Sequence, residues 1–155
     1  MPLSDLMLPE GILPSLKAST KKQALQELSE RAATLTGLSA REIFDSLLQR
    51  ERLGSTGVGH GVAIPHGKLP KCERIAGVFA RLERPIDFEA MDGAPVDLIF
   101  LLIAPEDAGA DHLKALAKIA RAVRDPGFVA KLRATRDANV LFAMLSQASA
   151  TSHAA

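Results

Sequence analysis

The stretch from Arg50 to Lys68, Arg-Glu-Arg-Leu-Gly-Ser-Thr-Gly-Val-Gly-His-Gly-Val-Ala-Ile-Pro-His-Gly-Lys, gathers the residues whose types and spacing suit chemistry. Four of the 11 glycines lie between Gly54 and Gly61, and Gly67 follows His66. Glycine enters positive φ without strain and lets a backbone approach a ligand closely. A glycine run also costs conformational entropy, so a folded domain carries one for a geometric reason. Val62, Ala63 and Ile64 form a short apolar segment, a candidate buried strand. Pro65 has no N–H and is expected to end that strand, leaving His66 just beyond its C-terminal edge. An imidazole there, followed by Gly67 and the cation of Lys68, is suited to phosphate chemistry. On spacing alone the competing reading is a glycine-rich loop with an incidental histidine.

Two phosphate-binding loops are excluded. The Walker pattern G-x-x-x-x-G-K-[ST] does not fit, because Gly61 to Gly67 encloses Pro65 and His66 and Leu69 follows the lysine. The dinucleotide fingerprint lacks its second spacing in Gly57-Val-Gly-His-Gly61 and would precede a strand instead of following one.

Arg50-Glu-Arg-Leu53, Gly54-Ser-Thr-Gly-Val-Gly59 and Ala63-Ile-Pro-His-Gly-Lys68 together resemble the active-site signature of IIA domains of the bacterial phosphotransferase system, in its mannitol/fructose class. The Gly-Ser-Thr-Gly lead-in leans toward the nitrogen-regulatory branch, and the likeness runs from near residue 5 to about residue 147. The resemblance implies that His66 receives a phosphoryl group from a small phosphocarrier protein. One departure is His60, which stands where many relatives carry Asn or another polar residue and puts a second imidazole six positions before His66.

The rest of the chain bounds this reading. At 155 residues it suits one domain able to bury a core without staples. With no Trp or Tyr, that core must come from Leu, Ile, Val, Ala and six Phe. A net charge of +1 argues against a nucleic-acid partner. No apolar run approaches the ~20 residues that span a bilayer, and no basic-then-apolar leader is seen. Cys72 is the only cysteine, which agrees with a reducing cytoplasm; an ordinary surface or half-buried thiol is favoured over a reactive one near Lys71 and Arg74.

The elements that must position the site read as follows. A short strand is expected around Gly11 to Leu16. Thr20-x-x-Gln23 and Ser39-x-x-Glu42 are capping boxes, which predict helices from 20 to about 35, stopped by Gly37, and from 39 to about 52. Arg50 falls in the last turn of the second, where a helix-end cation is its ordinary role. Arg74 to Glu83 reads as a strand, and Glu83 to Gly93 as a polar connection without metal-ligand spacing. Pro95 to Ala104 is the most apolar run, expected as a central strand covered on both faces. After a turn at 106–110, Asp111-His112 opens a helix whose start attracts anions. A solvent-facing histidine is the alternative for His112. A short helix near 128–132 and a last helix capped by Asp137 follow, and residues 148–155, with His153, read as a disordered tail.

Paired helices around strands call for a sheet covered on both faces, a three-layer α/β/α sandwich over residues 1–147. The resemblance adds a mixed sheet of about four or five strands. It also implies that Arg50 contacts the moving phosphoryl group and that His112 pairs with His66, while Ser55, Thr56, Gly67 and Lys68 line the phosphate cradle. No metal and no cofactor are expected. The implied partners are a phosphocarrier donor and regulated proteins such as potassium-transport regulators; a homo-dimer stays open, and the expected compartment is the cytoplasm. Three rivals remain: a sugar-specific IIA serving a fructose- or mannitol-type permease, a non-phosphorylated IIA-like binding module, and a zinc hydrolase built on His60 and His66.

Overall fold

The computed structural model describes residues 3–154. In chain order it contains helix α1 (Leu3–Leu6), strand β1 (Met7–Leu16), helices α2 (Lys21–Thr36) and α3 (Ala40–Arg52), strands β2 (Gly57–Gly59), β3 (Val62–Ala63), β4 (His66–Leu69), β5 (Ala76–Ile86) and β6 (Val96–Pro105), then helices α4 (Ala110–Ala122), α5 (Pro126–Ala134) and α6 (Ala138–Ala154). The helix ends follow the local signals. Thr20 Oγ1 accepts from Gln23 N at 3.1 Å and Ser39 Oγ from Glu42 N at 3.3 Å. Gly37 closes α2 in the left-handed region at φ 77°. Asp125 and Asp137 accept the first free N–H groups of α5 and α6.

The sheet is mixed, in the order β1-β5-β6-β3-β2, with β4 also paired to β6. β1 runs parallel to β5, β5 antiparallel to β6, and β3 and β4 both parallel to β6. From Leu98 to Ile103, β6 alternates its side chains between two cores. Val96, Ile99, Leu101 and Ile103 face Leu25, Leu28, Ile43 and Leu47 of α2 and α3. Leu98, Phe100 and Leu102 face the side formed by α1, α4, α5 and α6. At about 1.5–3 kcal/mol for each fully buried aliphatic or Phe side chain, this strand anchors both layers. The expected three-layer sandwich is therefore observed.

Three boundaries differ from the sequence reading. β1 begins at Met7 and carries Pro9 and Pro14, which an edge strand tolerates. Its carbonyls are met by side chains: Arg31 Nη1 donates to Glu10 O at 2.7 Å and Arg81 Nη1 to Pro14 O at 3.3 Å. α6 continues to Ala154, through most of the stretch read as a tail, where Ala148 and Ala150 favour helix; Ala155 lies outside the described residues.

The third difference bears on the site. His66 does not lie beyond a strand end; it begins β4. Pro65 splits one sheet position into two short strands, both beside β6, and the count rises to six strand segments. At the break, Ile64 N turns away to Thr56 O at 3.0 Å, while Pro65 O still accepts from Leu102 N at 3.0 Å. The ladder is interrupted for Ile64 alone, which leaves its carbonyl available to a side chain.

Gly67 sets how closely α3 approaches this strand. A Cβ there would collide with Ser46 Oγ and press on Ser46 Cβ at 3.1 Å, and Ser46 Oγ donates to Lys68 O at 3.1 Å. Ser46 and Arg50 are one helical turn apart on the same face, so the contact that needs glycine also delivers Arg50 to His66. Gly67→Ala is expected to destabilise the fold by about 1–3 kcal/mol through overpacking. Chemical denaturation measures this, and an unchanged midpoint would remove Gly67 from the packing role.

Candidate functional site

Arg50, from the last turn of α3, and His66, from the first residue of β4, meet directly: Arg50 Nε donates to His66 Nε2 at 3.2 Å. The guanidinium is held from its other side, with Nη1 donating to Gly54 O at 2.8 Å. His66 Nδ1 lies 2.9 Å from Ile64 O. A carbonyl only accepts, so Nδ1 carries the proton and the lone pair sits on Nε2. The strand break at Pro65 thus fixes the tautomer of the ring beside it.

His112, in the first turn of α4, completes the group. Its ring stands edge-on to His66 at a centroid distance of 5.5 Å and an interplanar angle of 77°. It is 4% exposed, so the solvent-facing alternative does not hold, and its Nδ1 is buried without a hydrogen-bond partner. Burial pushes the pKa of both rings below the ordinary 6.5. For His66 the Arg50 cation adds to that shift, while the bond to Ile64 O and the Glu51 carboxylate oppose it. For His112 the neighbours His66 and Lys68 lower it further. Both imidazoles are neutral near pH 7, the form in which a nitrogen lone pair is available for attack.

The sign of the pH effect follows. With folded-state pKa values below the unfolded 6.5, the unfolded chain binds protons first as pH falls. Stability is therefore full above pH 6.5 and is lost as pH falls through the window between 6.5 and the depressed values. Thermal midpoints at descending pH should show this loss, and His66→Gln should diminish it; an equal loss in that variant would exclude His66 as a source.

Two cavities open on either side of the Arg50–His66 contact. One, about 570 Å³, is lined by Ser46, Lys68, His112 and Leu113. The other, about 520 Å³, is walled by the Ser55–Gly59 segment, Ile64, Met91 and Leu116. Of the six large hydrophobic residues left exposed among the described residues, Leu53, Val58, Met91 and Leu113 border these cavities. Met91 is 95% and Leu53 84% exposed. An apolar rim around a reactive ring is a surface that gains free energy when another protein covers it.

The remaining sequence candidates divide. Lys68 is exposed at the mouth of the His112 cavity. Ser55 and Thr56 wall the other, but their hydroxyl protons are committed: Ser55 Oγ donates to Phe88 O at 2.7 Å and Thr56 Oγ1 to Glu51 Oε2 at 2.5 Å. A hydroxyl already donating inside the protein has no proton left for a phosphoryl oxygen, so these two build the wall. Gly67 serves packing, as above. His60 sits at positive φ (57°) in the turn between β2 and β3 and lines neither cavity. Cys72 is buried and its thiol donates to Arg74 O at 3.0 Å; burial pushes its pKa up, the ordinary thiol expected. Among the described residues no cluster of three or more His, Cys, Asp or Glu could hold a metal ion. Sequence reasoning missed Glu51, hidden behind Arg50, and the rim, which has no distinct signal in the sequence, since Met91 is one of three large apolar residues, with Ile86 and Phe88, in the 83–93 connection.

Comparison with known proteins shows the family and the fold. Residues 5–148 match the family model described as phosphoenolpyruvate-dependent sugar phosphotransferase system, EIIA 2. The chain belongs to this IIA family. It is 65% identical over 151 residues to the nitrogen regulatory protein of Bradyrhizobium diazoefficiens, covering 97% of this chain and 99% of that one. The crystal structure of nitrogen regulatory protein IIA-Ntr from Neisseria meningitidis superposes with a TM-score of 0.88 at 34% identity, over 92% of this chain and 98% of that chain. The Escherichia coli enzyme IIA for mannitol, solved in complex with its phosphorylated enzyme IIB, shares the fold with a TM-score of 0.75 at 20% identity, over 89% and 95% of the two chains. Among the described residues of this IIA domain, no helix is long and apolar enough to cross a membrane.

Proposed function

We propose that this IIA domain is a regulatory phosphocarrier: His66 Nε2 accepts a phosphoryl group from a phosphohistidine on a carrier protein, and the phosphorylation state then controls target proteins. The observation that carries the reading is the His66 ring itself, held as the Nδ1–H tautomer by Ile64 O with its Nε2 lone pair facing Arg50. The Nε2 lone pair attacks phosphorus in line as the donor's N–P bond breaks. The bonding pair returns to the donor ring, which leaves as neutral imidazole when its other nitrogen carries a proton. His66 keeps its Nδ1 proton on Ile64 O and becomes the phosphoryl imidazolium, so no proton need move between the partners. Two imidazoles of similar leaving ability make the transfer near-balanced and reversible. The protein contributes position and charge, as in phosphoryl transfer generally. Arg50 swings its guanidinium onto the phosphoryl oxygens, for which its planar fork is suited, and His112 offers a ring N–H from the larger cavity, which it lines.

The apolar rim supports a protein donor in preference to a free metabolite, since a small phosphate ester would leave Leu53, Val58, Met91 and Leu113 uncovered. The 65% identity to a nitrogen regulatory protein supports the regulatory reading over a sugar-specific one. Incubation with phosphoenolpyruvate and the purified phosphotransfer proteins, followed by mass spectrometry under non-acidic conditions, tests this reading. Acid-labile phosphate on His66 is expected, and label confined to His60, or none at all, would overturn it.

A further inference from the structure

We propose that Glu51 is a positioning residue of the His66 site, holding Arg50 in place through the glycine-rich loop; this rests on the phosphoryl-acceptor reading of His66. Glu51 and Arg50 are consecutive in the last turn of α3 and grip the same loop at two points. Arg50 Nη1 donates to Gly54 O at 2.8 Å. Glu51 accepts from Thr56 N at 3.1 Å and from Thr56 Oγ1 at 2.5 Å. Its side chain is 5% exposed, and Lys21 Nζ from α2 sits 2.9 Å from Oε1. A carboxylate so buried persists only with charge and hydrogen bonds to compensate, and here all the compensation is spent on the loop and on α2.

The network closes on itself. Lys21 Nζ also reaches Glu89 at 3.5 Å and lies 4.8 Å over the Phe88 ring, and Phe88 O accepts from Ser55 Oγ. The segment from Ser55 to Thr56 is thereby fastened on both sides, whereas Gly54, at φ 143°, has no side chain to fix it. Gly54 O is the anchor of the guanidinium; Gly54 N is held on Glu51 O at 3.1 Å, and the loop beyond it is pinned two residues onward by the Glu51 carboxylate. From that anchor Arg50 Nε reaches His66 Nε2. Releasing Thr56 loosens Gly54 O and then the guanidinium, and with it one of the two contacts, beside that to Ile64 O, that favour the Nδ1–H tautomer of His66.

The readouts are single-turnover phosphorylation of His66 by a phosphorylated histidine carrier protein and the ¹⁵N resonances of the His66 ring. Glu51→Ala is expected to slow the transfer step by about 10–100-fold, the scale of an ångström-sized misplacement, and to move the ring from the Nδ1–H pattern toward a tautomer mixture. Glu51→Gln, which keeps an acceptor for Thr56, should restore most of both. A purely structural tie between α2 and α3 predicts instead a lower thermal midpoint with wild-type tautomer and transfer rate in the folded protein, and that result overturns the proposal. If Glu51→Ala does not fold, Thr56→Val removes the Oγ1 bond alone and is read in the same way; wild-type values there overturn it equally. Failure of wild-type His66 to be labelled would sink the acceptor reading, while the tautomer shift, which needs no donor, would still decide the role of Glu51.

Discussion

His66→Ala is expected to take up no acid-labile phosphate from a phosphorylated carrier, while the wild-type chain is labelled at that one ring. Loss should be complete, because neither His60 nor His112, the histidines nearest His66 in the sequence and the site, can substitute. His60 stands in an exposed turn, with its backbone N–H on Asp92 Oδ2 and its carbonyl on Arg133 Nη2, and lines neither cavity beside Arg50. His112 is 4% exposed with its Nδ1 buried, which leaves its ring far less accessible to a donor than that of His66. The fold should survive. Alanine removes a part-buried ring with one neutral hydrogen bond, worth about 0.5–1.5 kcal/mol, and one to the Arg50 cation, worth about 1.5–3 kcal/mol, and part of that loss is returned because the desolvated ring no longer has to be accommodated. Circular dichroism with a thermal midpoint close to wild type would confirm that the lost label is chemical. His66→Gln, closer in volume, should be equally inert. Persisting label in either variant would transfer the acceptor role to the imidazole that carries it.

What could be read in advance follows the range of the interactions involved. Thr20 and Ser39 each cap a helix through a residue three positions on, so their signals are local, and both bonds are present. The apolar run of β6 likewise announces itself, because a strand covered on both faces needs no alternation. Arg50, His66 and His112 were singled out largely from a family signature. Spacing alone favoured a helix-end cation and a solvent-facing ring for the two flanking residues, since neither contact is local. Their meeting depends on β4 lying beside β6 and on α3 packing flush against Gly67, both long-range facts. Pro65 breaks the chain locally, but a missing N–H interrupts one rung of a ladder; it does not dictate that the strand stops when the neighbour β6 still offers Leu102 N. Ser55 and Thr56 are a phosphate-binding pair by type. Only the fold reveals that Phe88 O and Glu51 already hold their hydroxyls. Composition places Glu51 on a charged helix end, where a solvated face is the ordinary expectation; its partner when buried is Lys21, thirty residues earlier.

Arg50→Ala is expected to slow phosphorylation of His66 by about 10²-fold or more, the usual cost of removing one preorganised group that meets developing charge. The effect should fall on the transfer step more than on donor docking, because the apolar rim of Leu53, Val58, Met91 and Leu113 is untouched. Arg50→Lys should recover only part of the rate. An ammonium supplies charge but no planar fork, and a single nitrogen cannot hold Gly54 O and His66 Nε2 at once in the present geometry. Stability should change little, since a last-turn cation contributes about 0.3–1 kcal/mol through the helix dipole. The variant also carries a pH signature. The Arg50 cation is one of the causes that lower the His66 pKa, so its removal raises that pKa, and the acceptor ring protonates at higher pH than in the wild type. Transfer should therefore decline earlier on acidification in Arg50→Ala. Single-turnover rates across pH, with an NMR titration of the ring, measure both effects. A wild-type rate with a wild-type pH profile would return Arg50 to the role of a helix-end cation and leave His66 without its electrostatic partner.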